Sequence, residues 1–251
     1  MYKAEFSLWQ LMINWLFPPL CIACRVMLPL NMGNFYICGR CEPLFERVLP
    51  PFCKKCGSKL NAPEEICASC FGKKLFFESN ESGFLYDELM RDMLHDMKFR
   101  NKKRIAEGLG ALWAKTISLP RGDFVLVPLP MHHKKRKERG FNQAEVLAKA
   151  LAKECKAGYV PLLKRIVDTP AQSGLHPKQR EENVKNAFKL LSGYSVLGKT
   201  VVLIDDIYTT GASLNECARV LTEAGAAVVL AKTLALTVYR HQQPTDEDDG
   251  A

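Results

Sequence analysis

Val201-Val202-Leu203-Ile204-Asp205-Asp206-Ile207-Tyr208-Thr209-Thr210-Gly211-Ala212-Ser213 decides the fold of this chain. Four consecutive aliphatic residues, Val201 to Ile204, suit a strand covered on both faces of a parallel sheet. The strand is expected to end in the two acids and turn through Thr-Thr-Gly. At Ser213 it should enter a helix running from Leu214 to Ala224, stopped by Gly225. A helix N-terminus presents unpaired N–H groups and partial positive charge, which together hold a phosphate. Gly211 lets the backbone approach such a ligand closely, and Thr209, Thr210 and Ser213 add hydroxyl donors. Asp205 and Asp206 only accept, so they suit sugar hydroxyls or a divalent metal rather than the phosphate itself. Acids for a diol beside donors for a phosphate describe a phosphorylated pentose. The plainer reading is a strand-loop-helix whose acids complement the helix dipole. Side-by-side carboxylates after a buried strand are costly without a ligand, which weighs against it.

Outward from this segment, strands alternate with helices. Residues 76–86 read as an edge strand or hairpin. From Glu88 to Ser118 the pattern is helical, with Leu89, Met93, Leu94, Met97, Ile105, Leu109 and Leu112 as the apolar stripe and a break at Arg100-Asn101. Phe124 to Leu129 is predicted to be the first buried strand of the main sheet. Phe141-Asn142-Gln143 then leads a helix that ends between Cys155 and Gly158. Val160 to Ile166 is strand-like, with Pro161 near its start, and residues 167–187 read as a long polar loop with a short helical piece. Phe188 to Leu191 suits a return strand, and residues 227–236 the last one. The expectation is an α/β fold with an open, mostly parallel sheet whose ligand sits beyond the strand C-terminal ends. Asp205 and the segment Pro128-Leu129-Pro130 both fall there.

A chain of 251 residues can bury a full core and carry an appendage. Its charged and apolar fractions are those of a soluble globular protein. The net charge of +8 favours anionic partners, polyphosphate or nucleic acid, without choosing between them. Residues 241–251, with the acidic run Thr245 to Asp249, read as a disordered tail, so the folded body is more basic than the total. Leu8, Trp9, Leu11, Met12, Ile13, Trp15, Leu16 and Phe17 suggest a short amphipathic helix stopped by Pro18-Pro19. It is too short to span a bilayer and carries no basic leader or cleavage signal, so stable membrane insertion is not expected and a cytoplasmic location is. Packing on the protein's own surface is its expected role; a partner or membrane contact is the alternative.

Eight of the ten cysteines form four Cys-x-x-Cys pairs: Cys21/Cys24, Cys38/Cys41, Cys53/Cys56 and Cys67/Cys70. Each pair aims two thiolates at one tetrahedral metal, so the set fits two structural zinc sites within a module of residues 1–72. Redox dithiols are the competing reading, but four of them in fifty residues share no obvious chemistry. Sequential pairing would give two stacked ribbons and interleaved pairing a cross-brace; the spacing leaves both open. Cys155 and Cys217 lie in helical runs and are expected to be core thiols.

The segment from Val127 to Gln143 leaves a strand and enters a helix, and it carries Lys134, Lys135, Arg136, Lys137 and Arg139. Such a basic loop could be a solvated surface, a nucleic-acid patch or a pyrophosphate site, for which arginine has the better fork geometry. Residues 132 to 139 hold no aromatic side chain for stacking single-stranded DNA.

The turn Asp205-Asp206-Ile207-Tyr208-Thr209-Thr210-Gly211-Ala212-Ser213 resembles the 5-phosphoribosyl-1-pyrophosphate (PRPP) loop of type I phosphoribosyltransferases. The wider set resembles the ComF/GntX family from about residue 15 to 236. It comprises the four knuckles, His95-Asp96-Met97-Lys98-Phe99-Arg100, Val127-Pro128-Leu129-Pro130, Arg139-Gly140-Phe141-Asn142-Gln143, Gln172 with Arg180 and Asn183, and Asn186-Ala187-Phe188. That resemblance implies a double zinc ribbon ahead of a phosphoribosyltransferase domain spanning residues 73–240, and PRPP bound with Mg²⁺. It implies that Asp205 and Asp206 hold the ribose hydroxyls, and that Thr209, Thr210, Gly211, Ala212 and Ser213 hold the 5′-phosphate. Arg139, Asn142 and Gln143 would lie at the pyrophosphate loop, and Gln172, Arg180 and Asn183 in a closing loop. Lys98 would reach substrate, or else cap its helix. The implied setting is natural transformation, beside single-stranded DNA and the uptake helicase and recombination proteins. Phosphoribosyl transfer, PRPP sensing without transfer and a DNA adaptor role all remain open.

Overall fold

The computed structural model describes residues 12, 15–29, 36–60, 65–99, 102–168 and 177–237. Its main sheet has five strands: β1 (Asn80–Leu85), β2 (Phe124–Pro128), β3 (Gly158–Tyr159), β6 (Thr200–Tyr208) and β7 (Val228–Leu236). They lie in the order β1-β7-β6-β2-β3, all parallel. The aliphatic run Val201 to Ile204 is wholly buried in the central strand, as burial on both faces requires.

Side-chain alternation sorts the core into two halves. Val202 and Ile204 face one side with Phe84, Leu126 and Leu234. There they meet apolar residues of α1 (Glu88–Phe99), α2 (Lys103–Ala114) and α4 (Gln143–Cys155). Val201 and Leu203 face the other side with Val127, Val229 and Ala231. That side is covered by α6 (Ala212–Glu223) and by an antiparallel hairpin of β4 (Leu163–Arg165) and β5 (Phe188–Leu190).

The cysteine-rich segment is divided between these halves. Cys21, Ile22, Leu28, Ile37, Cys41 and Phe45 belong to the first core, and Cys53, Cys56, Leu60 and Cys70 to the second. The link between them covers the outer edge of β1: Leu85 N–H donates to the Glu46 carbonyl (2.8 Å) and Val48 N–H to that of Gly83 (3.2 Å). An open strand edge is thereby closed.

Four expectations need correction. The strand carrying the acids runs on to Tyr208 because β7 keeps pairing with it, Ile207 opposite Ala235 and Tyr208 opposite Leu236. The basic segment is not a loop but a helix, α3 (His133–Arg139), since lysine, arginine and glutamate form helices well without an apolar stripe. The strand read over Val160 to Ile166 is split: β3 ends in the main sheet, Pro161 follows, and β4 pairs with β5 instead. Proline lacks the N–H that a continuous ladder needs. At the described end of the amphipathic N-terminal run, Trp15 (82%) and Phe17 (77%) are exposed rather than packed on the protein. Pro18-Pro19 lead straight into the first knuckle, where the Pro19 carbonyl accepts from Leu28 N–H, and Leu8, Trp9, Leu11 and Ile13 lie outside the described residues. Cys217 is fully buried as expected, whereas Cys155 is half-buried. The acidic tail, Arg100-Asn101 and Gln172 lie outside the described residues; a further helix, α5 (Pro177–Val184), follows the segment containing Gln172.

Candidate functional site

β2 pairs with β6 only as far as Pro128 opposite Ile204, so Asp205 to Tyr208 extend past it on that side. A crevice therefore opens beside the two acids. It is bounded beyond by the turn Thr209-Thr210-Gly211 and the start of α6. Gly211 is the N-cap residue, with φ +76°, a left-handed conformation that side-chain-bearing residues avoid. It offers no capping side chain, so the first turn of α6 faces the crevice with its N–H groups and positive dipole end. The resulting cavity, about 300 Å³, is lined by Lys98, Arg180, Asp205, Asp206, Ile207, Thr209, Gly211, Ala212, Ser213 and Leu214.

The acids have different neighbours. Asp206 is ion-paired at 2.6 Å with Lys98, from the last turn of α1, and feels the charge of Arg139. Asp205 accepts the Asp206 backbone N–H at 2.9 Å. Burial, then the charge of Asp206, pushes its pKa up to about 8, against the pull of that N–H and Lys98. Arg165, on β4, is within electrostatic reach of Asp205. One carboxylate is thus paired with a cation while the other readily carries a proton. A ligand with a diol and a phosphate would find acceptors at one end of the cavity and a helix N-terminus at the other.

Several sequence-predicted residues sit behind this cavity rather than in its wall. Thr210 lines a neighbouring cavity of about 380 Å³ with Lys73, Asn215 and Arg219, although its Oγ1 accepts the Ala212 N–H at 3.4 Å. Arg139 donates from Nη1 to Gln143 Oε1 at 3.0 Å, and burial lowers its pKa. Gln143 is 2% exposed, and no partner meets its Nε2 among the described residues. Buried Asn142 donates from Nδ2 to the Leu129 carbonyl at 2.9 Å, clamping the end of β2 to the start of α4. Asn183 is half-buried on α5, one turn beyond Arg180, away from the cavity wall. Sequence reading missed Arg165, Ile207 and Leu214. Arg165 carries no local signal, because only the β4–β5 hairpin brings it near Asp205. The described part of the loop after β4 is anchored to α3 by Asp168, which is ion-paired with Lys134 Nζ at 3.1 Å.

The cysteines settle into two clusters, Cys21, Cys24, Cys38 and Cys41, and Cys53, Cys56, Cys67 and Cys70. In each, the four sulfurs lie within 4.8 Å of one another. Pairing is therefore sequential. Zinc with Zn–S bonds of about 2.3 Å holds its sulfurs roughly 3.8 Å apart. The Cys24–Cys38 and Cys56–Cys67 separations are 3.7 and 3.6 Å. Backbone N–H groups of Cys38, Ser58 and Cys67 donate to Cys21, Cys56 and Cys53. Burial would raise the Cys21 thiol, but N–H donors from Cys38, Cys24 and Ala23 bring it down to about 6. Cys56 falls to about 5, led by its bond with Cys70. Their cluster-mates are pushed the other way, Cys41 and Cys67 by burial and then the neighbouring sulfurs, Cys70 by its bond with Cys56 and then burial. The tetrahedral spacing of four sulfurs in each cluster fits two structural zinc ions.

Residues 12–71 match the double zinc ribbon domain family, and residues 139–251 the phosphoribosyl transferase domain family. The chain is 29% identical to Competence protein F of Haemophilus influenzae, covering 82% of this chain and 91% of that protein. It is 30% identical to Competence protein ComFC of Bacillus subtilis, covering 76% and 80% respectively. Identity to DNA utilization protein YhgH of Salmonella typhi is also 30%, over 88% of this chain and 98% of the relative. Ribbons, sheet and relatives agree: the chain belongs to the ComF family, a double zinc ribbon joined to a phosphoribosyltransferase domain.

Proposed function

We propose that this protein binds PRPP with Mg²⁺ across the end of β6 and transfers its phosphoribosyl group to an acceptor met in DNA handling. One observation carries the reading: paired acids and a helix N-terminus opened by a glycine share a cavity with Lys98 and Arg180. Asp205 and Asp206 accept from the ribose hydroxyls, and Thr209 to Ser213 hold the 5′-phosphate. Mg²⁺ supplies charge neutralisation for the pyrophosphate. In the transfer, the bond from ribose C1 to the pyrophosphate oxygen breaks and its electron pair leaves with pyrophosphate. The acceptor's lone pair then bonds C1, and the acceptor loses a proton. Positive charge on the ring in the oxocarbenium-like state is stabilised by the adjacent Asp206 carboxylate. Lys98, Arg139 and the cations of α3 are the groups suited to the departing pyrophosphate. Arg180 and Asn183 on α5, with Gln172 before it, suit a cover that excludes water. The names of the relatives support a role in competence and DNA use, and reduced thiols kept for metal suit the cytoplasm.

The test is calorimetry and thermal shift with PRPP and Mg²⁺ on wild type and on the Asp205→Ala/Asp206→Ala variant. At about 100 times Kd, ligand should stabilise the wild type by ~2.7 kcal/mol, and the variant by nothing measurable. Equal affinity in the two proteins would remove the site.

A further inference from the structure

Behind the phosphate turn lies the second cysteine cluster; two sets of contacts join it to the turn and a third joins it to β6 at Asp205. Tyr208, the last residue of β6, presses its ring against Gly211. A methyl group built on that glycine would stand 2.5 Å from the Tyr208 Oη and 2.9 Å from its Cζ. The same side chain, 5% exposed, belongs to the buried cluster that contains Cys53, Cys56 and Cys70. Asn80, opening β1, donates from Nδ2 to the Cys56 carbonyl at 2.9 Å and to Ser82 Oγ at 3.2 Å. Ser82 Oγ lies 2.7 Å from Thr233 Oγ1, and Thr233 is the β7 residue in register with Asp205. Asn215 of α6 accepts the Phe76 N–H at 2.7 Å and donates to the Lys74 carbonyl at 3.3 Å, a few residues after Cys70. Its own N–H donates to the Gly211 carbonyl at 2.8 Å. The first cluster is seated elsewhere: Arg25 meets Asp96 of α1 at 3.8 Å, and Lys115 meets Glu42 at 2.6 Å.

A glycine-centred turn has many conformations available, and it holds an anion well only when its N–H groups are fixed in advance. Thr210 Oγ1 holds the Ala212 N–H at 3.4 Å, and the Tyr208 ring lies directly against Gly211. We infer that Tyr208 is a positioning residue through which the second cysteine cluster, and not the first, sets the shape and phosphate affinity of the Thr209–Ser213 turn. The affinity part rests on reading that turn as the phosphate site; the mechanical part does not. Metal loss at Cys53, Cys56, Cys67 and Cys70 then loosens the turn, and zinc at this ribbon regulates ligand binding at a distance.

The experiment uses the full zinc-loaded chain. Amide hydrogen exchange over residues 209–214 is measured without ligand, alongside zinc content and PRPP calorimetry with Mg²⁺. Tyr208→Leu and Cys67→Ser should speed exchange in the turn about tenfold relative to the β6 core. Both should weaken PRPP by a similar factor. Tyr208→Phe keeps the ring and should behave as wild type, with Tyr208→Leu still holding a full complement of zinc. Cys24→Ser, in the first cluster, should leave the turn's exchange relative to the β6 core as in wild type, whatever it does to the stability of the whole chain. If either cysteine variant does not fold, the two Tyr208 variants decide. Identical turn exchange in Tyr208→Leu and wild type, or equal acceleration of the turn relative to the β6 core by Cys24→Ser and Cys67→Ser, overturns the coupling. The expected exchange pattern in a protein that binds no PRPP upholds the coupling and sinks the ligand assignment.

Discussion

At Asp205, burial and the neighbouring Asp206 carboxylate hold a proton up to about pH 8. In the unfolded chain the same group ionises near ~3.9. Between those values the folded state keeps a proton that the unfolded state has shed. Stability contributed at this position is therefore complete below the unfolded value and is lost as pH rises toward the folded one. Asp205→Asn removes that dependence. From about pH 5 to about pH 8 the wild type should lose melting temperature relative to the variant; parallel curves would show that Asp205 is not the group concerned. This pair was legible in the sequence because adjacent acids after four buried aliphatics have few structural uses. Arg165 was not, since its approach to Asp205 depends on a hairpin closed by residues more than twenty positions away. Asn142 and Gln143 were legible as a motif but not as a clamp. Their partners, the Leu129 carbonyl and Arg139, become apparent only once β2, α3 and α4 are folded together.

At the scale of elements, α2 and α4 meet at a close joint in the first half of the core. A Cβ on Gly110 would stand 2.6 Å from Ala150 Cβ and 3.5 Å from the Leu147 carbonyl oxygen. Two effects oppose each other in Gly110→Ala. Helix propensity favours alanine by about 1 kcal/mol, while overpacking against a rigid methyl on a neighbouring helix costs about 1–3 kcal/mol. Ala150 has no flexible end to move aside, so the clash should prevail. Urea unfolding should show a net loss of stability, and a more stable variant would mean that the helices separate without strain. Elements with an apolar period were readable from sequence for this reason: α1, α2, α4 and α6 each bury one stripe. The helix α3 has no buried residue at all, so no pattern marked it. The β4–β5 hairpin was half visible, its strands found but its separation from the main sheet hidden behind Pro161.

At the scale of the molecule, the four knuckles were plain in the sequence, but their pairing and their place were not. Spacing alone allows stacked ribbons or a cross-brace, whereas the fold seats one cluster in each half of the core. That division changes what metal removal does. Structural zinc contributes on the order of 10–16 kcal/mol to a small ribbon at neutral pH, as much as the whole net stability of a typical domain, about 5–15 kcal/mol. Were the ribbons an independent lobe, chelation would melt them and leave the sheet at its own melting temperature. Here Ile22, Leu28 and Phe45 pack into the first half and Leu60 into the second, so losing the ribbons exposes both faces of the sheet. A chelator strong enough to strip thiolate zinc should therefore lower the melting temperature of the entire chain in one cooperative transition, with two zinc ions released per chain. Two separate transitions, with the later one unmoved, would show that the sheet is complete without its ribbons. A zinc content well below two would instead show that one cluster is not a metal site. The single transition is expected because each half of the core is closed on one side by cysteines that only a metal can hold together.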